Sequence, residues 1–107
     1  MADKILSNIV EFDPDAEFNY NKFYIGLKFN GRSKNYSIFR PKKNFLAVEI
    51  KLPQTEENDE IINQADITTL DYDNARGNYR LRINEKELSE KLETIKKLIF
   101  NAKENFG

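Results

Sequence analysis

The chain has 107 residues and a mass of 12.6 kDa, is 39% hydrophobic and 33% charged, and carries a net charge of −1, the composition of one globular domain and not of a disordered segment. It contains neither cysteine nor histidine, which excludes disulfides, thiolate chemistry and the commonest general base and metal ligand. No apolar run approaches the ~18 residues of a membrane span and the N-terminus lacks the order of a signal peptide, so no membrane contact and a cytoplasmic location are expected.

In chain order, the spacing of Ile5, Leu6, Ile9 and Val10 predicts a short amphipathic helix over residues 3–11. A helix this short gains little from propensity, so packing must hold it, or it is the end of a longer one. Asp13-Pro14-Asp15 ends it, and residues 17–21 lead into a sheet. Phe23, Ile25, Leu27 and Phe29 then alternate with Tyr24, Gly26 and Lys28, the pattern of a strand with one buried face. Asn30-Gly31 tolerates positive φ, which predicts a tight hairpin and a second strand over residues 34–39. Arg40-Pro41-Lys42-Lys43-Asn44 makes the next reversal. In the third strand Leu46, Val48, Ile50 and Leu52 face inward, Phe45, Ala47, Glu49 and Lys51 face outward, and Pro53 stops it.

Gln54-Thr55 caps a second helix whose first turn carries Glu56, Glu57, Asp59 and Glu60, with Ile61, Ile62 and Ala65 on its buried side. Residues 67–72 read as a strand, residues 73–78 as a loop, and Tyr79, Leu81 and Ile83 alternate with Arg80 and Arg82 to complete a second hairpin. Asn84 and Glu87 form a capping box for the terminal helix. Its stripe is Leu88, Leu92, Ile95, Leu98, Ile99, Ala102 and Phe106, supported by Glu87–Lys91 and Glu93–Lys97 pairs, with Gly107 just past the end. The expected fold is α+β: helix, three-stranded antiparallel meander, helix, β-hairpin and long C-terminal helix, a single domain over residues 1–107 with one sheet face covered by helices.

The charge is unevenly placed. Residues 22–51 carry eight bases and one acid, residues 52–75 carry seven acids and no base, and residues 76–82 add three arginines. The strands are basic and the connections acidic. Lys34, Arg40, Lys42, Lys43 and Lys51 are the candidate phosphate contacts, with Tyr24 and Tyr36 as stacking surfaces, so nucleic acid or another polyanion is the expected partner. Two other readings fit the same charges. The cations protect strands from edge-to-edge association and are neutralised by the acidic helices, or the acidic segment from 56 to 73 and the basic sheet drive self-association or docking to a domain of a parent protein.

Glu49 and Lys51 also have the spacing of the ExK element of restriction-type nucleases, where the carboxylate binds Mg²⁺ and the lysine positions the attacking water. Such a site needs a second carboxylate from the preceding strand, and residues 21–48 contain no Asp or Glu. Two outward residues of a half-exposed strand account for the pair more simply. No catalytic residue, metal, cofactor or small-molecule substrate is expected.

A short helix ending in Asp13-Pro14-Asp15, then FYIGLKF at 23–29, NYSIFRPKKNFLAVEIKLP at 35–53 and GNYRLRI at 77–83 entering a long terminal helix resembles the small uncharacterised domain called the "predicted transport protein" domain. It is more distantly similar to the MmcQ/YjbR-like double-wing fold. Beyond the strand pattern, the likeness lies in Arg40, Pro41, Lys42 and Gly77. The resemblance implies an α+β accessory domain at the C-terminus of a larger protein, without catalytic residues. The helix before the sheet is longer in that domain than residues 3–11, which implies that this chain is a piece of a longer one.

Overall fold

The computed structural model describes residues 2–106, the last of them by its backbone alone, so the expected stripe contact of Phe106 and the helix end at Gly107 lie outside the described residues. The order is α1 (Ala2–Phe12), β1 (Glu17–Tyr20), β2 (Ile25–Phe29), β3 (Arg32–Ser33), β4 (Ser37–Pro41), β5 (Leu46–Lys51), α2 (Glu56–Gln64), β6 (Thr68–Asp73), β7 (Asn78–Ile83) and α3 (Glu85–Phe106). The strands pair antiparallel in the order β1-β2-β4-β5-β7-β6, with β3 folded onto the end of β2. The α+β class and the long terminal helix agree with the sequence reading. The sheet has seven strands where five were expected.

Both additional strands are held by ladder bonds more than by burial. In β1 only Phe18 packs against the core and the other three residues are exposed, so hydrophobic content gives little sign of it. The two residues of β3 are both exposed. They follow the expected tight turn, in which Asn30 and Gly31 have φ of 50° and 78°. Phe23 departs from the expectation that it faces the core, being 70% exposed. The Asn21 side chain accepts the N–H groups of Phe23 and Tyr24 at 3.0 Å each, and this local turn takes Phe23 out of the strand.

Most of the core forms where the periodicities placed it, although Val10 is exposed and Phe29 is not part of the cluster. Leu46, Val48 and Ile50 of β5 and Leu81 and Ile83 of β7 meet Leu88, Ile95, Leu98, Ile99 and Ala102 of α3, with Ile5, Leu6 and Ile9 of α1 and Ile62 of α2 in the same cluster. Each fully buried branched side chain contributes about 1.5–3 kcal/mol relative to exposure. The caps form as predicted: Thr55 Oγ1 accepts the Asn58 N–H at 3.1 Å, and Asn84 and Glu87 exchange bonds of 2.8 and 3.2 Å. Glu87 and Lys91 pair at 3.8 Å, whereas Lys96 reaches across to Glu11 of α1 at 2.9 Å. A Phe12–Phe100 edge-to-face contact at 5.4 Å joins the same two helices. All three helices thus lie on one side of the sheet. Ile38 and Ala47 are buried yet lie outside that core, on the face that no described helix covers.

Candidate nucleic-acid interface

Directly opposed residues of an antiparallel pair share a face, so the register defines what the uncovered side presents. One row runs Arg40, Ala47, Arg82, Thr68 across β4, β5, β7 and β6. The next runs Ile38, Glu49, Arg80, Leu70, and beyond it Lys51 lies opposite Asn78. Lys28 joins the face from β2, opposite Glu17 of β1. Cations of four separate strands therefore converge on one surface. Arg40 and Arg82 stand two strands apart, about 10 Å at the usual spacing, with the small Ala47 between them.

Each of these two arginines lies against an aromatic ring. The Arg40 guanidinium is 5.3 Å from the Tyr24 ring centre, and that of Arg82 is 4.2 Å from the Phe45 ring centre. Arg40 is also fixed from below, where its Nε donates to Glu49 Oε2 at 2.6 Å. Asn78 Nδ2 donates to the other oxygen, Glu49 Oε1, at 3.4 Å. The Glu49 side chain is only 8% exposed, against 25% for Arg40. This corrects the expectation of a half-exposed outward glutamate: alternation gave its face correctly, but the long neighbouring side chains cover it, and a buried carboxylate requires such donors. Among the described residues, no three or more Asp or Glu side chains gather where they could hold a metal ion.

Beside these rows lies a cleft of about 420 Å³. Tyr24, Asn35, Ile38 and Arg40 line it from the β2–β4 side, and Lys51, Asn78, Ala75 and Arg76 from β5, the start of β7 and the β6–β7 turn. The cleft follows an interrupted ladder. β2 and β4 share a single residue pair, Ile25 opposite Phe39, and the next N–H of that kind, on Leu27, donates at 2.7 Å to the side chain of Asn35. A Cβ on residue 26 would lie 2.7 Å from Asn35 Oδ1 and 3.1 Å from the Tyr24 ring, so only glycine permits this approach. On the other wall, Asp73 accepts the N–H groups of Arg76 and Gly77 at 3.1 and 2.7 Å, and Gly77 has φ +73°. That turn presents Arg76, whose side chain is 62% exposed and 4.0 Å from Asp73.

Of the residues singled out from the sequence, Tyr24, Arg40 and Lys51 meet in the cleft. Lys42 and Lys43 are exposed on the β4–β5 turn. Lys34 lies over the Phe29 ring at 5.1 Å, beside the β2–β3 hairpin and apart from the cleft. Tyr36 is not a stacking surface. It is 2% exposed and belongs to the core, where its hydroxyl donates to Asp13 Oδ2 at 3.1 Å. Burial, and then the Asp13 charge, push its pKa up. Arg76, Asn35 and Asn78 were not anticipated. Their sequence signal is faint: an arginine before a turn glycine, an asparagine in the link between β3 and β4, and another at the first position of β7. No protein-family model, curated protein or solved structure matches the chain.

Proposed function

We propose that this domain is a non-enzymatic accessory module that binds single-stranded nucleic acid on the uncovered face of its sheet. The observation that carries the reading is the pair of guanidinium groups each lying over an aromatic ring, Arg40 over Tyr24 and Arg82 over Phe45, set on either side of Ala47 with Arg80 and Lys51 in the adjoining rows. Cations supply phosphate contacts, and planar groups at intervals give unpaired bases surfaces to stack on. A duplex hides those base faces, so the same sequence as a duplex is the weaker ligand.

Fluorescence anisotropy of a labelled oligonucleotide across a salt series tests this. With about four phosphates contacted, log K falls against log salt with a slope near −2.8, roughly a fifty-fold loss between 50 and 200 mM. Tyr24→Ala lowers affinity by about ten-fold, the effect of one lost stacking surface. Absence of binding at 50 mM salt, or binding indifferent to both salt and Tyr24, refutes the proposal.

A further inference from the structure

From the cleft beside the sheet rows we infer a discrete site for one nucleoside phosphate, which rests on the strand-binding reading and gives it a fixed end. The cleft's charged lining is entirely cationic, namely Arg40, Lys51 and Arg76. These are not equivalent. Arg40 is held by Glu49 and lies over the Tyr24 ring, so its guanidinium is fixed at the cleft, where a planar base can stack against it. Lys51 and Arg76 come from the far wall, and Arg76 is exposed and only loosely engaged by Asp73 at 4.0 Å. They are the groups placed to take a phosphate.

The two asparagines supply the remaining recognition. Asn35 Oδ1 is committed to the Leu27 N–H, which leaves its amide hydrogens as donors. Asn78 Nδ2 is committed to Glu49, which leaves its carbonyl oxygen as an acceptor. A donor and an acceptor side by side suit the edge of a base, whereas the oxygens of a bare phosphate accept from the donor and leave the acceptor largely unmatched. The volume of about 420 Å³ agrees: it falls within the range of small-ligand sites and exceeds what an inorganic anion fills. The nucleotide is either free or the phosphorylated end of the strand that lies along the face.

Titration of the intact chain by amide NMR, with AMP, adenosine and inorganic phosphate as separate probes, tests the site. AMP is expected to bind at least ten-fold more tightly than either of its parts, shifting the backbone amides of Gly26 and Gly77 and the side-chain amides of Asn35 and Asn78. Arg76→Ala, on an exposed turn where folding is not at stake, weakens AMP about ten-fold, as does Lys51→Gln, and Lys86→Ala on α3 leaves it unchanged. Equal binding of AMP and phosphate, or AMP binding indifferent to Arg76 and Lys51, overturns the inference. If an oligonucleotide binds and AMP does not, the cleft inference fails and the sheet-face reading stands. If AMP binds and no oligonucleotide does, the sheet-face reading fails and the site serves free nucleotides. A ten-fold preference for a 5′-phosphorylated oligonucleotide over its unphosphorylated twin identifies the strand end as the source.

Discussion

Replacing Arg40 with methionine keeps its aliphatic length and removes its charge, leaving Glu49 as a carboxylate only 8% exposed with Asn78 as a donor at a long 3.4 Å. Stranding one member of a fully buried pair costs about 3–5 kcal/mol. Arg40 is itself 25% exposed, so the pair is not fully desolvated, and a loss of about 2–3 kcal/mol is expected. For a chain of 107 residues this corresponds to a fall in Tm of about 10 °C, using the usual unfolding entropy per residue. Glu49→Gln leaves a cation that can reach water, and its cost is about 1 kcal/mol. The double variant Arg40→Met/Glu49→Leu removes both charges of this pair, and its stability returns to within about 1 kcal/mol of the parent. Urea unfolding of all four proteins gives the coupling energy directly, and the stable double variant separates folding from function because it lacks the Arg40 guanidinium. An Arg40→Met protein that melts within about 2 °C of the parent would show that Arg40 does not sustain the buried carboxylate, and the positioning of the guanidinium by Glu49 would fall with it.

Gly26→Ala places a methyl 2.7 Å from Asn35 Oδ1, which displaces the side chain that bonds Leu27; about 1–3 kcal/mol is lost, and chemical denaturation reads it, with ligand binding weakened in parallel because the cleft wall has moved. Tyr36→Phe removes the bond to Asp13 at a cost of about 1 kcal/mol and leaves oligonucleotide affinity unchanged, the reverse of Tyr24→Ala; a binding defect in Tyr36→Phe would contradict its assignment to the core. Burial raises the pKa of both Tyr36 and Tyr79, with Asp13 and Asp59 as their respective acidic partners adding to it. The folded state therefore holds those protons above pH 10, where the unfolded chain releases them. Stability is full below about pH 10 and falls progressively as the pH rises above it. Denaturant midpoints measured from pH 8.5 to 11.5 show the decline, and Tyr36→Phe/Tyr79→Phe flattens it.

Elements with one regular period across their whole length were legible in the sequence. The α3 stripe, the inward sets of β5 and β7 and both helix caps occupy the predicted positions. Arg40, Lys51 and Tyr24, singled out from the charge pattern, line one cleft. What that pattern could not convey is depth: Glu49 has the same outward parity as Lys51, yet the surrounding side chains bury it.

The site itself escaped for a reason that also explains why it exists. Period-two counting from Ile38 and Arg40 puts Tyr36 on the same face as they are. In the structure the Tyr36 N–H donates at 3.0 Å to the Lys34 carbonyl, two residues back, and this three-residue turn carries Tyr36 through to the core. The same break leaves β2 and β4 with one pair and turns the Asn35 side chain onto the Leu27 amide. An unbroken ladder over residues 33–37 would return Tyr36 to the outer face, replace the Asn35 bond by a backbone carbonyl and close the seam beneath Tyr24 and Arg40. A reading built on regular alternation is therefore least informative at the place where the sheet departs from it, and that departure is what opens a cleft on an otherwise flat face.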